Sequence, residues 1–305
     1  MPGHKLQFLD GVGHDMKEIG HRALKAYMLH FPVTKGKGRL MSLLWKPLSS
    51  GRYIRETALR QADVRLCCDL TMTLQRHLYF FGGYEEENCE YWMKLAGRAR
   101  TVFDIGANVG LYSLLAAAVN PCCQVHAFEP TSEVVDILMT NIRLNKFQNI
   151  VVRPVAVGDV SGHGFLHRRS GADGSSEGMN FVTRIRREDS DAPVAMLSLD
   201  DYCRDNGIEQ IDLMKLDIEG GEHDALLGAQ RLLRAKAIES IFLELVEWAA
   251  ERSGHSTAQV KRLLVDAGYH IYRLHSGKLV PLELGTVTPG ENVVAFRCPP
   301  EESGV

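Results

Sequence analysis

Asp104, Gly106, Asn108 and Gly110 stand together in "TVFDIGANVG", where an apolar run ends in a carboxylate and two glycines follow four residues apart. In a strand-turn-helix unit, such glycines let the backbone approach a ligand and let the helix pack close to the strand. A turn built for pyrophosphate carries a further glycine between them, so that phosphate oxygens reach the amides of the helix N-terminus. Here Asn108 holds that middle position, and Asp104 would repel a phosphate. Taken alone, the turn is explained equally well by tight packing.

Glu129 in "HAFEP" tips the balance, because an acid about twenty residues beyond the turn is placed to take ribose hydroxyls. A carboxylate on each side of the turn suits a ligand with an ammonium and hydroxyls. S-adenosylmethionine (SAM), with its α-ammonium, sulfonium and ribose, meets that description. A second acidic group lies in "MKLDIEGGEHDALL": Asp217 and Glu219 share one side if a strand persists that far, and Glu222 opens a helix, where a carboxylate suits the macrodipole. With Glu244 at the end of "SIFLEL", these acids are expected at the C-terminal edge of a sheet, where open α/β folds bind ligands.

The elements that must hold these residues follow from periodicity. From Thr101 onward, short apolar runs alternate with helical segments, the pattern of βαβ units and a parallel sheet. Seven strands are predicted, in "TVFDI", "QVHAF", "IVVRPVA", "IDLMKLDI", "ESIFLEL", "YHIYRL" and "NVVAF". Helices are predicted in "GLYSLLAAAVN", "SEVVDILMTNIRLN", "EHDALLGAQRLLRAK" and "STAQVKRLLVDAG". Residues 1–97 read as a partly helical arm and lead-in, 98–298 as the ligand-binding domain and 299–305 as a tail. Within the domain, 161–193 is rich in Gly, Ser and charge and reads as an inserted loop or a β-excursion forming part of a lid. Its His163 and His167 are candidate substrate contacts or solvated histidines, and "RIRRED" reads as a solvated face.

The runs "DIGANVGLYSLLAA", "FEP", "VAVGD" and "MKLDIEGGEHDALLGA" together resemble the FkbM-type SAM-dependent methyltransferases, over roughly Tyr84 to Phe296. That resemblance implies an α/β class I methyltransferase fold, a Rossmann-like and mostly parallel sheet with helices on both faces, here with an N-terminal mainly helical extension. It implies SAM as methyl donor and O-methylation of a hydroxyl on a sugar or polyketide-type natural product. "LYFFGGYEE" is similar to the family's lead-in, which implies that Tyr84 and Glu85 close over the cofactor. Ala156 and Asp159 of "VAVGD" correspond to positions that line the adenine. Methyltransferases of this shape are often dimers, and a homodimer stays open by that analogy.

Methyl transfer to a hydroxyl is an in-line displacement, so alignment and removal of one proton are the protein's main tasks. Asp217, His223 and Glu244 are the candidate bases. Asp217, Glu219, Glu222 and Glu244 are alternatively a hard-cation site for Mg²⁺, which would orient a diol. A nicotinamide-dependent oxidoreductase, or a nucleotide-binding protein without turnover, are the competing functions. The absence of the middle glycine and of a Tyr-x-x-x-Lys run counts against the first.

The composition sets limits on partners. With 45% apolar and 24% charged residues and a formal charge of -3, the chain is ordinary for a globular protein, with no basic excess to recruit nucleic acid. A small-molecule or glycan acceptor is expected. No stretch approaches the roughly 18 apolar residues that span a bilayer. Seven cysteines without metal spacing read as reduced thiols, and a cytoplasmic location is the expectation.

Overall fold

The structure, a computed structural model, describes residues 12–30, 54–168, 180–188, 191–284 and 290–300. Helix α1 (Val12–His30) is followed by the antiparallel hairpin β1 (Ile54–Ala58) and β2 (Arg65–Asp69), then by α2 (Thr73–Phe81) and α3 (Glu86–Ala96). Leu24 and Met28 of α1 are buried in the same core as Leu78 and Phe80 of α2. Lys25 donates to Thr57 Oγ1 at 2.8 Å and lies 4.0 Å above the Tyr79 ring. The lead-in is therefore part sheet as well as part helix. Helix α3 ends at Ala96, with Gly97 as its C-cap.

The main domain begins with β3 (Thr101–Ile105), α4 (Leu111–Val119), β4 (Gln124–Phe128), α5 (Ser132–Leu144) and β5 (Ile150–Arg153). The predicted third strand ends there, because Pro154 has no N–H for the ladder. Ala156–Val157 instead form β6 in a second sheet with β7 (Gly162–His167), β8 (Phe181–Thr183) and β9 (Ala192–Leu197), in the order β6-β9-β7-β8. The segment read as a loop or β-excursion is thus largely strand where it is described. Residues 169–179 and 189–190 lie outside the described residues, as do 1–11, 31–53 and the 301–305 part of the tail.

Then follow α6 (Leu199–Asp205), β10 (Ile211–Leu216), α7 (Glu222–Leu227), α8 (Gln230–Arg234), β11 (Ile238–Val246), α9 (Glu247–Arg252), α10 (Thr257–Asp266), β12 (His270–His275), β13 (Lys278–Pro281) and β14 (Gly290–Phe296). The helix predicted across "EHDALLGAQRLLRAK" is broken into α7 and α8 at Gly228. A Cβ there would stand 2.0 Å from the Gly158 carbonyl oxygen, so the chain turns where two backbones touch.

The central sheet runs β13-β12-β14-β11-β10-β3-β4-β5. Strands β3, β4, β5, β10 and β11 are parallel to their neighbours in that set, and β14 is antiparallel to both β11 and β12. This is the class I methyltransferase order with one strand more than the seven predicted. The extra strand, β13, pairs with β12 through Ser276 and Gly277, whose φ values of 50° and 72° suit a two-residue hairpin turn.

Alternate residues of each central strand feed opposite cores. Val102, Leu213 and Phe242 pack with Trp92, Leu114 and Leu138 on one face; Phe103, Met214 and Ile241 pack with Leu226 and Leu264 on the other. All seven cysteines are free, and no helix among the described residues is long and apolar enough to cross a membrane.

Candidate functional site

Parallel strands end their ladders at the same edge, and the turns leaving β3, β4 and β10 there enclose a cavity of about 410 Å³ with Glu244 of β11. Tyr84 and Glu85, just before α3, and Phe181 of β8 complete its walls. The sheet register sets Lys215 beside Asp104 on one side and beside Phe242 on the other, so the centre of the edge is ionic from the start.

The glycine turn is required by contact as well as by conformation. Gly106 has φ 82° and a Cβ on it would stand 1.8 Å from the Asp217 carbonyl oxygen; at Gly110, with φ 93°, a Cβ would stand 2.4 Å from Leu138 Cδ1. Asn108 takes φ 49°, which an Asn tolerates, and its Oδ1 accepts from Val109 N at 2.8 Å. The turn therefore brings strand β3 and the acidic loop after β10 into direct backbone contact.

Glu129 is buried at the floor of this turn. Its Oε2 accepts from Asn108 N at 3.1 Å and its Oε1 from Thr131 N at 2.9 Å, and the residue lines the cavity, where a carboxylate's four acceptor positions exceed those two amides. Burial raises its pKa, against the pull of those amides. Asp104 is more committed than expected: Oδ2 accepts from both Ser113 N at 2.9 Å and Ser113 Oγ at 2.6 Å, tying β3 to α4. Burial pushes its carboxyl up to about 6, with Ser113 and Lys215 opposing. It borders the cavity, but one oxygen serves the fold and not a ligand.

On the acidic edge, Asp217, Glu219 and Glu244 all border the cavity. The reason differs from the expected one, since β10 stops at Leu216 and Glu219 reaches the cavity through a left-handed turn with φ 58°. Lys215 Nζ donates to Asp217 Oδ2 at 3.0 Å and lies 4.8 Å from the centre of the Tyr112 ring. Burial alone would lower the Lys215 pKa, but Asp217, Glu85 and Glu244 together hold it above its ordinary value. Tyr112 in turn donates to Glu85 Oε2 at 2.6 Å. Glu244 is pushed up to about 8, first by the charge of Asp217 and then by burial; Glu219 reaches about 8 through burial and then Asp217.

Four expected site residues lie elsewhere; the first is Gly110, which does not border the cavity and is held to glycine by the nearness of Leu138. Glu222 is buried beneath the loop, where Oε1 accepts from Ile218 N at 3.0 Å and Gly220 N at 3.2 Å; it shapes the turn and does not border the cavity. His223 faces away from the cavity and stacks on His255, which removes it from the candidate bases. Asp159 accepts from Arg184 Nε at 2.8 Å outside the cavity, although Ala156 of the same motif does line it. The Mg²⁺ set fails with Glu222 gone, and a buried ammonium already sits among the carboxylates that remain. His167 is not a substrate contact either: its Nδ1 lies 2.9 Å from Asp191 Oδ2 and its Nε2 2.7 Å from Thr183 Oγ1.

Sequence reading missed Lys215, Tyr112 and His77, all of which line the cavity. A lysine inside the apolar run "IDLMKL" was the available signal for the first. His77 had none, because α2 reaches the cavity only through tertiary packing.

These acids carry a consequence for stability. Glu219 and Glu244 keep protons in the folded chain up to about pH 8 that the unfolded chain releases near 4.5. The folded state therefore binds more protons between those values, and the slope of unfolding free energy with pH is negative. Between pH 7 and 8.5 the urea midpoint should fall. A midpoint that rises over that interval would show that these carboxyls are already ionised at neutral pH.

The sequence profile of a family described as "Methyltransferase FkbM domain" matches residues 104–271. The chain is 26% identical over 144 residues to the 2-O-methyltransferase NoeI of Sinorhizobium fredii (strain NBRC 101917 / NGR234), a match covering 43% of this chain and 58% of that protein. It is 26% identical over 206 residues to methyltransferase sdnD of Sordaria araneosa, covering 56% and 74%. It is 27% identical over 157 residues to the 31-O-demethyl-FK506 methyltransferase FkbM of Streptomyces tacrolimicus, covering 42% and 59%. The matches thus span between 58% and 74% of these relatives' lengths.

Proposed function

The chain belongs to the FkbM methyltransferase family, and from that premise we propose that it moves the methyl group of SAM to a hydroxyl of a sugar or of a glycosylated or polyketide-type metabolite. The observation that carries this proposal is the union, in one cavity, of the glycine turn and Glu129 with the carboxylates Asp217 and Glu244. Two of the relatives bear O-methyltransferase names, which supports an oxygen acceptor.

The residues present suit the cofactor at both of its ends. Glu129 offers its remaining acceptor positions to ribose hydroxyls, and Pro130, Val155 and Ala156 form an apolar wall for the adenine. Glu85 and Asp217 face a region where a cationic ligand is favoured and a pyrophosphate opposed. That last feature disfavours the nicotinamide alternative. Bound there, SAM supplies a methyl group on a positively charged sulfur.

The chain's own groups handle the acceptor. Glu244, held near 8 mainly by Asp217, is a base whose proton affinity is matched to neutral conditions. Lys215 fixes Asp217 from below, so that the carboxylate is oriented before any ligand arrives. Tyr84 and Glu85 close the cavity from the α3 side, where Tyr112 anchors Glu85. In this arrangement positioning and proton removal both come from preformed groups.

Calorimetry with SAM and with NAD, followed by transfer of a labelled methyl group to a panel of sugars and macrolide-type alcohols, tests the proposal. Binding of SAM and labelling of a hydroxyl are expected. Binding of NAD in preference to SAM would overturn it. Replacing Glu129 with alanine should weaken SAM binding by roughly 1–3 kcal/mol, since ribose hydroxyls and the Asn108 and Thr131 amides all lose an acceptor. Wild-type affinity in that variant would place the ribose elsewhere.

A further inference from the structure

Beside the cavity that holds the glycine turn lies a second one of about 390 Å³, and Glu85 lines both. Its place follows from strand register. Phe242 of β11 pairs with Val294 of β14, which pairs on its other side with Tyr272 of β12, and these three side chains belong to the core beneath α3. Two residues nearer the edge, the same face carries Glu244 and its partner Asn292, with Leu274 on β12. Directly opposed residues of an antiparallel pair have Cβ atoms about 4.5–5.5 Å apart. Asn292 is thus the immediate neighbour of the candidate base.

Helix α3 brings a second carboxamide over the same edge. Trp92 sets its ring edge-on to Phe242 with centroids 5.6 Å apart, and Asn88 precedes it by four residues, one turn nearer the edge on the same helix face. Asn88 is only 9% exposed, and it lines the second cavity as Asn292 does. Neither carboxamide has a hydrogen-bond partner among the described residues. The carboxylates of the lining are engaged instead: Glu85 accepts from Tyr112, Glu86 pairs with Arg60, Glu87 accepts from the Gly277 amide, and Glu291 pairs with Lys261 and Arg273. A polar group buried without a partner costs free energy, so the partner of Asn88 has to come from the cavity.

The chemistry of that partner can be read from the walls. A carboxamide donates two hydrogen bonds and accepts two, so it meets a hydroxyl, itself donor and acceptor, in either sense. Among the described residues of the lining, Arg273 is the single cation against four glutamates, which opposes an anionic ligand, and Leu274 is the single large apolar side chain, which gives a bare macrolide little surface to cover. A neutral, hydroxyl-rich body fits both limits. Resting on the methyl-transfer reading, we propose that the second cavity is the acceptor subsite and takes a neutral saccharide unit, with Asn88 and Asn292 hydrogen-bonding hydroxyls adjacent to the one presented to Glu244. Of the two acceptor classes, this selects the sugar over the polyketide-type alcohol.

The test is saturation-transfer NMR on the full-length chain loaded with S-adenosylhomocysteine, with a panel of neutral methyl glycosides, the matched methyl glycosiduronic acids and a macrolide-type alcohol. At least one neutral glycoside should be saturated, and its uronic counterpart should bind about tenfold or more weakly. Asn88→Ala and Asn292→Ala should each raise the dissociation constant of that glycoside by about tenfold or more. Affinity for S-adenosylhomocysteine, measured by calorimetry, should be unchanged in both variants, which also shows that they are folded. Saturation of no neutral glycoside, preference for the macrolide-type alcohol, or unchanged glycoside affinity in both variants would each overturn the subsite. Failure of the parent chain to bind S-adenosylhomocysteine would instead sink the methyl-transfer reading itself, and the subsite with it.

Discussion

Replacing Glu244 with glutamine is expected to lower kcat for methyl transfer by about 10²–10⁴-fold, the range that a positioned general base contributes, while leaving SAM affinity unchanged. The substitution keeps the shape of the side chain and removes only its capacity to take a proton. In the wild type, turnover should rise with pH toward about 8 and then level off, because the base must be ionised and the Asp217 charge, with burial, delays its ionisation. In the variant that rise should be absent. SAM affinity should hold because Glu129 and the glycine turn are untouched. If the variant retained turnover within a few-fold of the parent, the proton would leave by another group. His77, which lines the same cavity and whose pKa is lowered by burial, would then be the base to examine.

Lys215→Met should cost about 3 kcal/mol of stability at pH 8.5, the lower end of the range for breaking a buried ion pair. The lower end applies because the Asp217 side chain keeps a third of its surface in solvent, whereas that of Lys215 is 3% exposed. Methionine fills most of the space, so the loss is electrostatic: Asp217, Glu85 and Glu244 would face one another without the ammonium between them. At pH 5.5 the deficit should shrink, since Glu244 is then protonated and one of the repelling charges is gone. Urea unfolding at the two pH values separates the causes. An equal deficit at both would mean that packing, and not charge, is what Lys215 provides. The same variant should also bind SAM less well, because the orientation of Asp217 depends on the Lys215 Nζ contact.

The parts of the site that could be read in advance are those set by local order along the chain. "DIGANVG" at the end of an apolar run forces a tight strand-to-helix turn, and "FEP" one βα unit later places an acid beside it, whatever else the fold does. Hence Gly106 and Glu129 border the cavity, while Gly110 serves the close packing of the turn on Leu138. The acidic edge was harder. Asp217, Glu219 and Glu222 are neighbours in sequence, yet only the first two reach the cavity, because a left-handed turn at Glu219 folds the chain back and draws Glu222 under it to accept two amides. The direction of His223 follows from the same turn.

The sequence by itself determined the alternation of strands and helices, the ligand-facing turn and the acids that favour a cationic cofactor, since each depends on spacing within one βα unit. Only the tertiary structure decided which charges meet. Lys215 becomes the centre of the site because sheet register sets β10 beside β3 and brings Asp104 alongside it, while Glu85, just before α3, and Tyr112 of α4 arrive from more than a hundred residues away. His223 and His255 meet for the same reason, across a loop that no local pattern predicts. Burial then shifts the proton affinity of groups such as Glu219 and His223, because the energy of a charge depends on the surroundings that all distant segments build together.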